Sequence, residues 1–457
     1  MRRRALLLSV AGGSGALLVG WAVLPARSRL GSASLLLEES GDVALNGWIK
    51  IGTDGSVVMA MPRSEMGQGV HTALPMLAAE ELDVPLQSIR IEQAGADTIY
   101  GNVAMLLARL PFHPREGEAS DGFGRIKASR WLVGKVAREL GINATGGSSS
   151  VADAWDVVRV AAATARASLL GAASLQWKLP LEELSVSAGV VSHVSGQSAT
   201  YGELARFAAA TPPGAVRLKD PTDFRLIGRS AARVDVPSKS DGSARFGLDV
   251  RVPGLRYAVV RLCPMLGGAP GRIDADAALA MPGVERLVML PAYAGSTAGF
   301  AVVGATTWHA RQAALAVAVD WQQRSRGALQ SRVIEADLEA AVRSDEGHVF
   351  HETGNIAQAE ATGRQVEAWY RAPYLAHATL EPMNCTAQVR DGRAEIWVPT
   401  QVPQLARAVA AQIAGVSPDR VTVNVTLLGG ALAGGWRSTM LRKPYVSPWT
   451  ALARRCS

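Results

Sequence analysis

A glycine-rich loop, Arg63-Ser64-Glu65-Met66-Gly67-Gln68-Gly69-Val70-His71-Thr72, lies directly before a stretch at 73–82 that is apolar except for Glu80 and Glu81. Glycine permits positive φ and lets a backbone approach a ligand closely, and the amide of Gln68 both donates and accepts hydrogen bonds. A helix that begins near Leu74 would place Pro75 where its missing N–H does no harm. The free amides before it would then form an anion site. Taken alone, the pattern more often marks an ordinary start of a helix, because a lone glycine motif is a weak signal.

A second loop of glycine and hydroxyl residues, Thr145-Gly146-Gly147-Ser148-Ser149-Ser150, precedes an alanine-rich helical pattern that runs to about Ala172. Ser150 is a candidate N-cap, with Asp153 three residues further on as a loose capping box. Capping of this kind needs no ligand. The same arrangement at a helix N-terminus is also what a phosphate would use, so both interpretations stay open.

Three potential metal ligands stand four residues apart in the last third of the chain: His377, Glu381 and Cys385. On a helix they would share one face, but Pro382 argues against a continuous helix. The residues that follow alternate in polarity around Asp391-Gly392 and predict a hairpin of 384–389 with 394–398. A metal site formed by protein ligands is therefore not favoured.

Together these motifs resemble the large molybdenum-binding subunits of the xanthine dehydrogenase and aldehyde oxidase family, and among them most closely the isoquinoline 1-oxidoreductase beta subunits. The resemblance covers about residues 45–430. It implies a molybdenum–molybdopterin cytosine dinucleotide cofactor contacted by Gly67, Gln68, Gly69, Gly147, Ser148, Ser149, Gln401, Gly429 and Gly430. It further implies that Gln401 bonds the oxo group of the metal and that His377 and Glu381 shape the substrate cavity. The pterin dithiolene, with no protein ligand, would hold the metal.

The resemblance implies hydroxylation of N-heterocycles or oxidation of aldehydes, with electrons passed to a small [2Fe–2S] subunit and then to a cytochrome c as one alternative. The three cysteines, Cys263, Cys385 and Cys456, lie far apart without a C-x-x-C pair, so no iron–sulfur cluster is expected in this chain. The family's general-base glutamate matches no residue here, so the catalytic residue is unknown.

The end of the chain departs from the family pattern after Gly430. Residues 420–457 contain no acidic residue, which favours a truncation or a shifted reading frame and an aberrant tail at 431–457. We therefore expect weak metal loading and no turnover from the chain as it stands. The alternatives are a truncated, non-catalytic remnant or a periplasmic anion-binding protein.

The formal charge of +7 comes largely from scattered arginines, without a basic run interleaved with aromatics outside the termini, which argues against nucleic-acid binding. Arg2-Arg3-Arg4 precedes an uncharged, small-residue-rich run to Ala26. This pattern is typical of a twin-arginine export signal and predicts a periplasmic protein. A single membrane anchor is the alternative, because the run approaches the roughly 20 residues that span a bilayer. An uncleaved signal would both direct export and anchor the protein in the membrane.

The 457 residues predict two to four domains and an α+β (mixed α/β) fold, in which molybdopterin-binding segments surround an α/β hammerhead domain. A hairpin is predicted around Asp54-Gly55, a short strand at 89–91, and a boundary at Pro212-Pro213-Gly214. The middle of the chain predicts strands at 257–261, 299–304 and 316–321 with a helix at 307–315. The expected units are a signal or anchor at 1–30, a first molybdopterin-binding segment at 40–215, the hammerhead domain at 216–325, an incomplete second segment at 355–430, and the tail at 431–457.

Overall fold

The structure is a computed structural model that describes residues 28–36, 41–112, 124–292, 297–323, 329–344, 347, 353–375 and 379–430. The interpretations of residues 1–27, of His377 and of the tail at 431–457 fall outside these ranges and stay predictions. Within the described ranges, no helix is long and apolar enough to cross a membrane.

Helices and small sheets form successive units along the chain, so the fold is α+β, as predicted. The strands are β1 (Val43–Ala44), β2 (Ile49–Ile51), β3 (Val57–Met61), β4 (Ile89–Gln93), β5 (Leu184–Ser187), β6 (Val190–His193), β7 (Ser198–Thr200), β8 (Tyr257–Leu262), β9 (Ala269–Asp274), β10 (Val284–Leu290), β11 (Gly299–Gly304), β12 (Ala318–Gln322), β13 (Thr386–Arg390), β14 (Arg393–Val398) and β15 (Val421–Val425). The helices are α1 (Val70–Leu82), α2 (Val103–Leu107), α3 (Arg125–Leu140), α4 (Ser150–Trp177), α5 (Tyr201–Ala209), α6 (Val236–Asp241), α7 (Asp276–Leu279), α8 (Thr307–Ala316), α9 (Ser331–Arg343), α10 (Ile356–Thr362) and α11 (Pro403–Ala414).

The first unit is a four-stranded sheet, ordered β1-β2-β3-β4, covered by α1 and α4. The predicted hairpin is confirmed: β2 and β3 pair antiparallel, and Gly55 supplies the positive φ, 81°, that its turn requires. Strands β3 and β4 pair in parallel, as a crossover through α1 demands. Every residue of β3 is buried, so this strand carries the chain through the core and ends at the glycine-rich loop.

The prediction that the first helix begins near Leu74 is wrong. Helix α1 begins at Val70 because Gly69 adopts a left-handed conformation, with φ of 85°, and ends the loop there. The amide of Ala73 already bonds the carbonyl of Gly69 at 2.9 Å, which completes the first turn. Pro75 consequently lies inside the helix, where it removes one hydrogen bond to the preceding turn.

The predicted cap of the long helix is also wrong. Ser149, not Ser150, is the N-cap residue, and its side chain makes no capping hydrogen bond. Asp153 does not cap the helix either, because its buried carboxylate binds two arginine side chains. The helix continues to Trp177 rather than Ala172, since the intervening residues include no helix breaker.

The middle unit holds two small sheets, ordered β10-β11-β8 and β12-β9, with α8 packed against them. The predicted strands β8, β11 and β12 and the predicted helix α8 are confirmed. Strands β9 and β10 were not predicted. In β9, Pro270 and Gly271 hide the alternation that marks a strand.

The last unit is the sheet β13-β14-β15, covered by α11. The hairpin predicted around Asp391-Gly392 is confirmed, and both residues have positive φ, at 49° and 67°. Strands β14 and β15 pair in parallel through α11. Gln93, the last residue of β4, joins this unit to the first by bonding the carbonyl of Val423 at 2.8 Å and the amide of Val425 at 2.6 Å.

Candidate functional site

Three loops from separate parts of the chain meet at Thr145. Its hydroxyl accepts from the amide of Ser64 at 2.8 Å, and its amide donates to the carbonyl of Gln401 at 2.8 Å. The side-chain amide of Gln401 donates to the carbonyl of Thr145 at 2.7 Å, while the hydroxyl of Ser64 donates to the carbonyl of Thr400 at 2.7 Å. All four residues are buried. The loops that carry the predicted cofactor contacts therefore form one hydrogen-bonded cluster.

The side chain of Gln68 makes two hydrogen bonds within its own loop. Its side-chain nitrogen donates to the carbonyl of Ser64 at 2.8 Å, and its side-chain oxygen accepts from the amide of Met66 at 2.8 Å. The flanking Gly67 and Gly69 have φ of 106° and 85°. A Cβ built at Gly67 would meet no atom within 4 Å, so this face of the loop borders open space.

The amino end of α1 does not offer the anion site that the sequence predicts, because Glu65 already fills it. One oxygen of the Glu65 carboxylate accepts from the amides of Gly67 and Gly69 at 2.8 and 3.0 Å. The other accepts from the amide of His71 at 3.0 Å. Glu65 is 1% exposed, so its carboxylate is an internal anion that belongs to the fold.

The electrostatics of this carboxylate favour its charged form. Burial raises the pKa of Glu65, but the hydrogen bonds from the amides of His71, Gly69 and Gly67 outweigh burial and leave the pKa below its usual value. Burial lowers the pKa of His71, which favours a neutral imidazole. Its Nε2 lies 3.1 Å from the carbonyl of Arg63, so the neutral ring carries its hydrogen on Nε2.

The second loop leaves the amino end of α4 without a side-chain cap. Gly147 and Ser148 are exposed and have positive φ, at 62° and 53°. Ser149 is buried, with its hydroxyl donating to the carbonyl of Gly146 at 2.7 Å and accepting from the side chain of Asn102 at 2.8 Å. The first-turn amides therefore have no capping side chain and lie next to a glycine that borders open space. Such a helix start can bind an anionic group.

Glu381 joins three segments of the chain. Its carboxylate accepts from the amides of Gly429 and Leu248, at 2.8 and 3.1 Å, and from the side chain of Asn384 at 2.8 Å. A Cβ at Gly429 would clash with that of Glu381, so only glycine fits there. Gly430 has φ of 112°. Glu381 thus links three segments of the chain through hydrogen bonds. Its place in the substrate cavity remains a prediction.

A cleft of about 650 Å³ lies behind the glycine-rich loop, between the β3–β4 edge and the β14–β15 edge. Its charged and titratable lining comprises Arg63, Glu65, His71, Glu92, Arg245 and Arg251. None of the predicted site residues that the structure describes lines it. Ser64, a member of the Thr145 cluster, does line the cleft, so the cluster and the cleft adjoin at that residue.

Sequence reasoning missed the residues that hold the site together, Ser64, Glu65 and Thr145. Glu65 and Ser64 lie inside the glycine-rich motif, and Thr145 opens the second one, but neither motif assigns them a role. No spacing rule pairs them, because Ser64 lies 81 positions before Thr145 and Gln401 lies 256 positions after it.

Two segments of the chain match family models described as molybdopterin cofactor-binding domains, at residues 9–104 and 342–441. The chain is 32% identical over 448 residues to the beta subunit of isoquinoline 1-oxidoreductase from Brevundimonas diminuta, an alignment that covers 85% of this chain and 50% of that protein. The chain belongs to the molybdenum-binding xanthine dehydrogenase and aldehyde oxidoreductase family. The two matched segments contain the glycine-rich loop and the Gln401 loop, and the Thr145 loop lies between them.

Other family members give weaker matches. One subunit of the nicotinate dehydrogenase of Pseudomonas putida is 27% identical over 82% of this chain and 29% of its own length. A membrane-bound, pyrroloquinoline-quinone aldehyde dehydrogenase of Gluconacetobacter polyoxogenes is 25% identical over 84% of this chain and 46% of its own length. The chain spans half or less of the length of the curated relatives it matches.

Replacing Thr145 with valine tests the role of its hydroxyl. Valine keeps the shape but leaves the buried amide of Ser64 without its acceptor, so the free energy of unfolding should fall by about 1–3 kcal/mol. Thr222→Val is the control, because the Thr222 hydroxyl bonds Asp220 at the surface; a change within about 0.5 kcal/mol is expected there. Urea denaturation measures both. Equal stability of the two variants would contradict the role given to Thr145.

Proposed function

We propose that this chain binds the molybdopterin cofactor, in its cytosine dinucleotide form, where the three loops meet. The observation that carries the proposal is the buried cluster centred on Thr145, which brings the loops of Gln68, Ser148 and Gln401 together. Pockets for cofactors are built in this way, from a few convergent polar groups on a rigid scaffold.

The chemistry of the loops fits an anionic, nucleotide-bearing group. Gly67 and Gly147 have positive φ, and a Cβ at either would meet no atom within 4 Å, so the backbone can lie against a ligand at both places. The uncapped amino end of α4 would hold a phosphate. The side-chain nitrogen of Gln401 uses one hydrogen for Thr145 and carries a second, which is a neutral donor for a ligand oxygen.

We infer that the assembled enzyme is an oxidoreductase that hydroxylates electron-poor N-heterocycles or oxidises aldehydes. When bound, the cofactor supplies two-electron oxidation. The names of the relatives include isoquinoline, nicotinate and aldehyde, which supports small substrates of these classes. This chain's part is to bind the cofactor and to orient it through the three loops.

The electrons would leave through a small [2Fe–2S] subunit, with a cytochrome c as a further acceptor. Burial raises the pKa of Cys385 to about 12, and Cys263 is buried. The raised pKa disfavours the Cys385 thiolate that a cluster would need. A cluster on a separate subunit is consistent with this, and co-purification of the chain with a tagged small subunit tests the partnership.

The identity of the nucleotide tests the form of the cofactor. The chain is purified from a host that makes molybdopterin dinucleotides, and the nucleotide released on mild acid treatment is separated by chromatography. We expect cytidine monophosphate. Guanosine monophosphate would overturn the cytosine form while leaving cofactor binding in place.

We also propose periplasmic localisation through twin-arginine export, with the uncleaved signal as a membrane anchor in the alternative case. Arg3→Lys together with Arg4→Lys should keep the protein in the cytoplasm, because the apolar run is too weakly hydrophobic for the general route. Arg27→Lys, outside the motif, is the control. Cell fractionation followed by immunoblotting measures the distribution. An unchanged periplasmic yield in the double variant would refute the twin-arginine assignment.

A further inference from the structure

The glycine-rich loop is bound from its outer side by Arg233, a residue of the segment that leads into the middle unit. One guanidinium nitrogen of Arg233 donates to the carbonyl of Gly67 at 2.7 Å, and another lies 3.2 Å from the Glu65 carboxylate. The amide of Val234 adds a bond of 3.0 Å to the hydroxyl of Thr72 on α1. The loop is therefore held by an internal anion and by a cation, and these two groups also contact each other.

Arg233 is itself held in place. Asp235 accepts from its Nε and Nη2 at 2.9 and 2.6 Å, which is the two-pronged geometry that fixes a guanidinium plane. Lys239 donates to the same carboxylate at 2.5 Å. The hydrogen bonds from Arg233 and then from Lys239 hold the pKa of Asp235 well below its usual range, so the Asp235 carboxylate is charged at neutral pH.

We propose that Glu65 and Arg233 preset the glycine-rich loop in its cofactor-binding conformation, with Glu65 standing in for a ligand anion at the amino end of α1. Arg233 is a positioning residue in this account, since it acts on the loop and not on the cofactor. The inference rests on the proposed function. Because Glu65 occupies the amides of Gly67, Gly69 and His71, a cofactor phosphate must bind elsewhere, and the amino end of α4 is the described alternative.

Hydrogen exchange on the cofactor-free chain tests the presetting directly. In Arg233→Ala, exchange at the amides of Gly67 and Gly69 should rise about tenfold, as expected for loss of a charged hydrogen-bond partner, with little change in the global unfolding midpoint. Arg233→Lys should recover part of the protection, because it keeps the charge and loses the two-pronged geometry. Arg229→Ala, an exposed arginine of the same segment, is the control.

A double variant with the two charges swapped distinguishes presetting of the loop from an ordinary ion pair. Glu65→Arg with Arg233→Glu would restore a simple pair, but it places a cation among three N–H donors, so amide protection should stay lost. The proposal would be overturned by wild-type hydrogen-exchange rates at Gly67 and Gly69 in the charge-swapped variant. It would equally be overturned if these rates in Arg233→Ala matched those of the control. Pterin content, measured separately as fluorescence, should fall several-fold in Arg233→Ala. A chain whose exchange responds but which never binds pterin would refute the proposed function and leave the presetting intact.

Discussion

Replacing Asp153 with alanine is expected to lower the free energy of unfolding by about 3–5 kcal/mol, the usual cost of leaving a buried charge without its partner. The Asp153 carboxylate accepts from Arg29 and Arg63 at 2.8 and 2.7 Å and from the amides of Val103 and Ala104 at 2.7 and 3.1 Å. Burial of Arg63 already lowers its pKa to about 10, with Asp153 opposing that shift. Without Asp153, the buried guanidinium of Arg63 at the start of the glycine-rich loop loses its counterion.

The control for this variant is Asp156→Ala, one turn further along α4, where the side chain is exposed. A change within about 0.5 kcal/mol is expected there. Guanidinium denaturation followed by circular dichroism compares the two. A loss below about 1 kcal/mol in Asp153→Ala would contradict the account, because it would mean that Arg63 finds water or another partner.

Replacing Gly147 with valine is expected to lower bound pterin by more than tenfold, which corresponds to about 1.4 kcal/mol of binding free energy. Gly147 has φ of 62°, a conformation in which a β-branched residue is a true outlier. The new side chain would also project into the open space beside the second loop, where the proposed ligand lies. Strain and obstruction therefore act in the same direction.

Gly55→Val separates these two effects. Gly55 also has positive φ, 81°, with no atom within 4 Å of a built Cβ, but it lies in the β2–β3 turn. Both valine variants should lose about 1–2 kcal/mol of stability, and only Gly147→Val should lose pterin. Equal pterin in the two variants would show that the second loop does not contact the cofactor.

Local elements were predictable where turn chemistry and alternation agree. Asp54-Gly55 and Asp391-Gly392 each lie between apolar runs, and both hairpins form. The sequence places the start of α1 too late, because proline usually lies at the first position of a helix and Pro75 does not. What decides the start instead is the left-handed Gly69 and the Glu65 carboxylate, and a side chain that caps from outside the helix is invisible to a propensity argument.

The site was predictable in its loops and not in its contacts. Family resemblance located the residues around Gln68, Ser148 and Gln401, and the structure brings these loops together. The resemblance could not show that Gln68 bonds atoms of its own loop, because a motif does not specify the loop conformation. It also could not show that Glu381 bonds the amide of Gly429, because that bond is a tertiary contact. Such contacts follow from packing across the whole chain, whereas a motif records only neighbours in sequence.

Molybdenum and pterin analysis of the purified 457-residue chain tests the central claim most directly. The chain is expressed in a host that makes the cofactor and passed through gel filtration. Metal is measured by mass spectrometry and pterin by the fluorescence of its oxidised form. We expect molybdenum and pterin to elute with the protein in amounts equal to each other, whatever the level of loading, and both to fall more than tenfold in Gly147→Val. Protein that carries neither would contradict the proposal that these three loops bind the cofactor.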